Sequence, residues 1–105
     1  MMSRLEQLKQ FAKEEPNDPF NLYALALEYL KSDQQEALTI FKSLLQNSPD
    51  YLPTYYPYAQ LLAEMKESKL AENIFEAGIS VAKKVNDLKT MRELQAAYDD
   101  WRYEN

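Results

Sequence analysis

Acidic residues in adjacent pairs are the side chains whose type and spacing could support catalysis in this chain. Glu14-Glu15 and Asp99-Asp100 each place two carboxyl groups side by side in the sequence, and two carboxyl groups can act as general acid and general base. Adjacent residues of a helix point in different directions, so neither pair is expected to converge on one substrate atom. The chain has no histidine and no cysteine, which removes the commonest general base, the thiolate nucleophile and the best zinc ligands. We therefore predict no catalytic residue, no metal site and no cofactor, and expect that the protein is not an enzyme.

The charge of the chain and the distribution of its apolar residues exclude further classes. The net charge is −5 and the only adjacent basic pair is Lys83-Lys84, whereas a nucleic-acid-binding protein usually presents a basic face. No apolar stretch approaches the ~18 residues of a membrane span, and the N-terminal residues lack the apolar run of a signal peptide. We expect a soluble, cytoplasmic protein that binds neither nucleic acid nor membrane.

Helices must position any surface that the protein uses. Helix-forming residues fill the chain and only one glycine occurs, which disfavours a β-rich fold. Five polar residues are placed to cap helices: Ser3, Asp18, Asp33, Ser68 and Asp87. Together with the prolines, they predict six helices near 3–14, 19–31, 34–47, 53–65, 69–84 and 88–102.

Two residues are unusual inside these predicted helices. Pro57 would clash with the carbonyl of residue 53 in a regular helix, so the fourth helix either begins late or has a bent first turn. Gly78 costs roughly 1 kcal/mol relative to alanine in a helix. We expect a close helix crossing at Gly78 rather than a ligand.

Apolar residues recur with a period of 33 to 34 residues. The first pattern, Leu22-x2-Leu25-Ala26-x2-Tyr29, is followed by Tyr55-x2-Tyr58-Ala59-x2-Leu62. A second pattern, Ala37-x3-Phe41, is followed by Ala71-x3-Phe75. The spacings place each set on one helical face, so each unit is predicted to be an antiparallel helical hairpin.

These residues resemble the tetratricopeptide repeat family, whose pattern combines W-x2-L-G-x2-Y with A-x3-F and a later proline in about 34 residues. The chain departs from that pattern at Leu62, where an aromatic residue is usual, and at Lys83, where the proline is missing. The resemblance implies an all-α, α-α superhelix of about six antiparallel helices in a single domain, 1–105. Its parts would be an N-terminal half repeat at 3–16, repeats at 19–50 and 52–84, and a C-terminal capping helix at 87–102.

The resemblance also implies that the first helix of each repeat lines a concave surface that receives peptides. The candidate groove residues are Tyr23, Leu27, Leu30, Lys31, Tyr56, Pro57, Gln60 and Glu64. Lys31 is the only basic residue among them, so the resemblance argues against a clamp for a carboxylate. Tyr23, Tyr56 and Glu64 favour a partner with apolar or basic side chains. The alternative is that this face packs under the C-terminal helix or a second subunit.

We therefore predict a non-catalytic adaptor or scaffold that binds a peptide or helix of a partner protein in a short groove. The alternative is a self-associating structural module, a homodimer whose groove is filled by its own second copy. Tyr98, Trp101 and Tyr103 could form a dimer face, although capping of the helical stack is the more economical interpretation of this aromatic stripe.

Overall fold

Six α-helices and one short 3₁₀ helix follow one another in residues 1–104, the part of the chain that this computed structural model describes. They are α1 (Arg4–Glu14), α2 (Pro19–Tyr29), α3 (Gln34–Asn47), a 3₁₀ helix (Leu52–Thr54), α4 (Tyr55–Glu64), α5 (Ser68–Lys84) and α6 (Leu88–Glu104). No strand occurs in this part of the chain. Every predicted helix is present, and no boundary differs from the prediction by more than two residues.

Side-chain caps explain why these boundaries could be predicted. Ser3 and Glu6 form a reciprocal capping box at the start of α1. The Asp18 carboxylate accepts a hydrogen bond from the Phe20 backbone N–H at 3.0 Å, and Asp33 caps α3 in the same way. Such caps satisfy backbone donors that have no partner inside the helix.

One predicted cap is wrong. Ser68 is the first residue of α5 rather than the residue before it, and Glu67 at the cap position makes no side-chain capping bond. The turn before α5 contains Lys66 with a positive φ of 64°, and the Glu67 backbone N–H donates to the Leu62 carbonyl. The end of α4 thus determines the path of the chain into α5.

Pro57 is accommodated by a late start of the fourth helix. The preceding residues form the 3₁₀ helix Leu52–Thr54, and α4 begins at Tyr55. Pro57 is then the third helical residue, where a backbone N–H would have no partner within the helix. The proline therefore removes no hydrogen bond from α4.

The chain divides into two compact units, residues 1–54 and the residues from Tyr55 onward. In the first unit α2 packs against both α1 and α3. The buried apolar residues of this unit are Leu8, Leu25, Ala26, Ala37, Ile40, Phe41 and Leu44. The division into a half repeat, two repeats and a capping helix stays a prediction.

In the second unit α5 packs against both α4 and α6. Tyr55, Tyr58 and Leu62 are buried, as predicted from their shared helical face. Gly78 is also buried, and a Cβ atom added to it would lie 2.7 Å from the Cβ atom of Tyr55 and 3.0 Å from the Cδ1 atom of Leu94. The expected close crossing at Gly78 is confirmed.

Candidate functional site

Helix α4 presents an exposed face beside its buried one. Tyr56, Gln60 and Glu64 are spaced by four residues and are all exposed, because residues four apart lie on one side of a helix. Pro57 is partly exposed in the first turn. Four of the predicted groove residues therefore lie at or near the surface of α4.

A cleft of about 210 Å³ lies beside this exposed face within the second unit, and we call it the α4–α6 cleft. It is lined by Gln60, Ala63 and Glu64 of α4, Phe75 of α5, and Ala97, Trp101 and Glu104 of α6. Pockets that hold drug-sized ligands usually measure about 300–1,000 Å³. The α4–α6 cleft therefore has room for about one large side chain.

Three aromatic rings in mutual contact support the α6 wall of the cleft. The ring centroids of Phe75 and Tyr98 lie 5.3 Å apart at an interplanar angle of 14°. The Trp101 ring lies 5.8 Å from Phe75 and 6.2 Å from Tyr98. Aromatic pairs at these distances stabilise the packing beyond simple burial, so the Trp101 side chain is held in position at the cleft.

Tyr98 belongs to the core rather than to a dimer face. It is only 3% exposed, and its hydroxyl donates a hydrogen bond to a carboxylate oxygen of Glu76 at 3.3 Å. Burial, followed by the negative charges of Glu72 and Glu76, raises the pKa of the Tyr98 hydroxyl. Tyr98 is therefore not available for self-association, whereas Tyr103 is 93% exposed and its participation in a dimer stays a prediction.

Arg102 packs over the Tyr98 ring of the aromatic cluster. Its guanidinium carbon is 4.0 Å from the centroid of the Tyr98 ring, and its Nη2 atom is 2.7 Å from Oδ1 of Asp99. The hydrogen bond from Arg102, followed by one from Gln95, lowers the pKa of the Asp99 carboxyl. An aromatic ring and a carboxylate thus hold one guanidinium group within α6.

The predicted residues of the first unit form a less open surface. Tyr23 is partly buried and makes an edge-to-face contact with Tyr51 at a centroid distance of 5.8 Å, and burial raises the pKa of its hydroxyl. Leu27 and Leu30 are partly buried. Lys31 is exposed, but its Nζ atom lies 3.0 Å from a carboxylate oxygen of Glu28. The charge of Lys31 is therefore partly compensated within α2 and the turn that follows it.

A second cleft of about 380 Å³ lies in the first unit between the α1–α2 turn and the end of α3. Its lining consists of Pro16, Asn17, Pro19, Leu22, Leu44, Asn47 and Ser48. None of these residues carries a charge or an aromatic ring, and none belongs to the predicted groove. Asn17, Asn47 and Ser48 offer this cleft hydrogen-bonding groups but no charge.

One carboxylate of each adjacent acidic pair is hydrogen-bonded to a side chain of its own helix. Glu14 accepts a hydrogen bond from Gln10 at 3.0 Å, and Asp99 is engaged by Arg102. Within residues 1–104, no three histidine, cysteine or acidic side chains come together in a group that could hold a metal ion. Nor does that part of the chain contain a helix of the length and apolar character required to cross a membrane.

The sequence interpretation missed four of the residues that line the α4–α6 cleft. Ala63, Ala97 and Glu104 were assigned no role, and Phe75 was identified only as part of the repeat. One signal was available, because Ala97, Trp101 and Glu104 follow the i, i+4, i+7 spacing of one helical face. That spacing alone does not say which neighbouring helix the face meets.

Successive antiparallel helical hairpins with a repeated apolar pattern define a helical-repeat protein, and solved structures of that class are similar to this chain. A tetratricopeptide repeat domain protein from Salinibacter ruber, solved by NMR in solution, is 38% identical over 83% of this chain and 89% of its own, with a TM-score of 0.78. A crystal structure of a protein of the same description from Salinibacter ruber is 36% identical over 84% of this chain and 100% of its own, with a TM-score of 0.79.

A protein from Bordetella parapertussis shares the fold at 20% identity, with a TM-score of 0.83 over 99% of this chain and 91% of its own. No protein-family model and no curated protein matches the chain. The similarity to the Salinibacter ruber structures shows that this chain belongs to the tetratricopeptide repeat family. The predicted family and the all-α repeat fold are confirmed, and the chain is a helical-repeat module of the protein-interaction type.

Proposed function

We propose that this protein is an adaptor or scaffold that binds a segment of a partner protein along the exposed face of α4, with the α4–α6 cleft as the main anchoring point. The cleft is the observation that carries this proposal. Gln60 and Glu64, two of the predicted groove residues, line it together with Trp101 and Glu104 of α6. Aromatic side chains in small pockets are frequent anchors of protein–protein binding.

The size of the cleft favours a peptide segment over a small-molecule substrate. A volume of about 210 Å³ admits one anchoring side chain, and the remainder of an extended or helical segment would lie along α4 toward Tyr56. Two carboxylates and no basic side chain line the cleft, so a nucleic acid backbone would be repelled. We therefore favour a protein partner.

The α2 face is proposed as a second contact surface. Tyr23 and Leu27 are only partly buried and so retain apolar area for a partner. The Glu28 carboxylate compensates the charge of Lys31, which weakens Lys31 as a receptor for a terminal carboxylate. Contacts on this face would be apolar, and their affinity would be modest because few residues take part.

Two matched variants test the cleft. Ala97 lines the cleft. Ala96, the preceding residue, is exposed and does not line the cleft. Ala97→Arg fills the cleft, and Ala96→Arg adds the same charge and volume to the neighbouring surface. A random linear peptide library is selected on the wild type, and the enriched peptides are titrated against all three proteins.

We expect the enriched peptides to bind the wild type and Ala96→Arg alike and to lose at least tenfold in affinity for Ala97→Arg, equivalent to about 1.4 kcal/mol. Circular dichroism and thermal unfolding establish that both variants are folded. Equal affinity of the three proteins for every enriched peptide would contradict the proposal, because binding would then not involve the cleft.

Self-association makes a different prediction that is measured with the same proteins. If a second copy fills the cleft, the wild type and Ala96→Arg should have a mass above that of the monomer, which rises with concentration or is constant for a tight dimer, and Ala97→Arg should be closer to the monomer mass. Light scattering across a concentration series measures this directly. The mass of a monomer at every concentration argues for a partner other than the protein itself.

A further inference from the structure

We propose that the α4–α6 cleft is specific for an arginine side chain presented by the partner segment. This inference rests on the proposed function, since it names the chemistry of the side chain that anchors the segment. It is carried by the charges around the cleft, by its aromatic wall and by the way in which the protein binds one of its own arginines.

The charged groups of the cleft are all negative. Glu64 of α4 and Glu104 of α6 provide two carboxylates from different helices, Gln60 adds an amide, and the other lining residues are apolar. No lysine or arginine of the chain lines the cleft. A cation that entered would meet opposite charge on both helices, whereas an anion would be repelled.

The aromatic wall adds a second preference for a cation. Trp101 lines the cleft, and indole is the ring that attracts a cation most strongly over its face. Its stacked contact with Tyr98 and its tilted contact with Phe75 restrict the ring, so little conformational entropy is lost when a ligand binds.

Arg102 shows that this aromatic cluster accepts a guanidinium group. The guanidinium lies 4.0 Å from the centroid of the Tyr98 ring and is paired with the Asp99 carboxylate at 2.7 Å. The cleft presents the same combination of an aromatic ring and carboxylates, formed by Trp101, Glu64 and Glu104. The residues that line the cleft include no lysine or arginine, so the guanidinium would come from the partner.

Arginine suits the cleft better than lysine does. A planar guanidinium group can stack on the Trp101 ring and donate to carboxylates in its own plane, whereas an ammonium group is a compact and more strongly hydrated charge. The cleft volume of about 210 Å³ accepts one long side chain but not an arginine together with a second large residue. We therefore expect recognition of a single arginine flanked by small residues.

Trp101 makes the test direct, because it is the only tryptophan of the chain and its fluorescence reports on the cleft. Three short peptides with blocked ends and alanine flanks are titrated, and they carry arginine, lysine or citrulline at the centre. Citrulline has the shape of arginine without its charge. We expect a saturable fluorescence change with arginine, binding several-fold weaker with lysine, and at least tenfold weaker with citrulline.

A pair of charge-matched variants identifies the carboxylates. Glu64→Gln/Glu104→Gln removes both charges from the cleft, and Glu15→Gln/Glu36→Gln removes two exposed charges of the first unit. The cleft variant is expected to lose at least tenfold in affinity for the arginine peptide, and the control less than twofold. Glutamine preserves the size of the side chain, and thermal unfolding verifies that both variants fold.

The inference is overturned if arginine and citrulline peptides bind equally, if the cleft variant binds like the control, or if arginine produces no saturable change up to about 10 mM. Its failure is distinguishable from failure of the proposed function. Suppose that the library yields peptides without arginine and that Ala97→Arg weakens their binding. The cleft would then still be the binding site, but it would not be specific for arginine.

Discussion

Replacing Gly78 with alanine adds one methyl group at the tightest helix crossing of the second unit. The new Cβ atom would lie 2.7 Å from Cβ and 3.1 Å from Cγ of Tyr55, and 3.0 Å from Cδ1 of Leu94. Optimal carbon–carbon separation is about 3.5–4.0 Å, so the Tyr55 contact requires a displacement of about 0.8 Å. The Cβ atom of Tyr55 is bonded directly to the backbone of α4 and no side-chain rotation can move it.

Two opposing free energies determine the result. Alanine is favoured over glycine in a helix by roughly 1 kcal/mol. Overpacking a well-packed core costs typically about 1–3 kcal/mol, and we expect the upper half of that range because the helix itself must move. The free energy of unfolding of Gly78→Ala should therefore fall by about 1–2 kcal/mol, and the melting temperature by about 4–8 °C for each kcal/mol.

Thermal and urea unfolding of two further variants calibrate this expectation. Ser80 is exposed on the same helix, so the difference between Ser80→Ala and Ser80→Gly measures the preference of α5 for alanine without a packing change. If Gly78→Ala is stabilised by as much as that difference, the crossing tolerates a methyl group and the packing argument is refuted.

Three further predictions concern polar groups. Thr54→Val should raise the free energy of unfolding by about 1 kcal/mol in urea titrations, because the Thr54 hydroxyl is fully buried and makes no hydrogen bond, and a shape-matched apolar group avoids that desolvation cost. The Asp87 carboxylate accepts hydrogen bonds from the backbone N–H and hydroxyl of Thr90 at 3.0 and 2.8 Å, which lower its pKa from the usual 3.8. Its stabilising charge is therefore fully present above about pH 4 and lost as the pH falls through the folded-state pKa, so the melting temperatures of wild type and Asp87→Asn should converge in acid. Burial raises the pKa of Tyr98 above 10.0, so the wild type should lose more stability than Tyr98→Phe as the pH rises above 10, and alkaline melting curves in which the two fall in parallel would contradict this.

The helices could be predicted from the sequence because their ends are determined locally. Ser3 and Asp18 each bond a backbone N–H two or three residues away, and such caps need no information about the remainder of the fold. Asp87 caps α6 through the Thr90 backbone N–H in the same manner. The predicted cap at Ser68 is wrong because the turn before α5 depends on the end of the preceding helix. In that turn Lys66 has a left-handed backbone conformation, and the Glu67 backbone N–H donates to the Leu62 carbonyl.

The cleft could be predicted only in part because its walls come from separate helices. The four-residue spacing of Tyr56, Gln60 and Glu64 identifies an exposed face of α4, and this part of the prediction needs only helical geometry. Trp101 lines the same cleft as this face because α6 packs on α5. The residues of α6 match the repeat pattern only loosely, so that pattern does not predict this packing. Periodicity determines which residues share a face, but not which second helix that face meets.

Helix α6 contributes residues both to the core of the second unit and to the α4–α6 cleft. Leu94 and Tyr98 are spaced by four residues and are buried, so this stripe covers α5 and adds apolar burial to the second unit. Ala97, Trp101 and Glu104 lie on the neighbouring stripe and line the cleft. Substitutions on the buried stripe should therefore change stability first, whereas substitutions on the cleft stripe should change binding with little loss of stability.

The aromatic rings link the two stripes through Phe75. Truncation of Tyr98 to alanine should therefore impair both stability and arginine binding, whereas Glu104→Gln should impair binding alone.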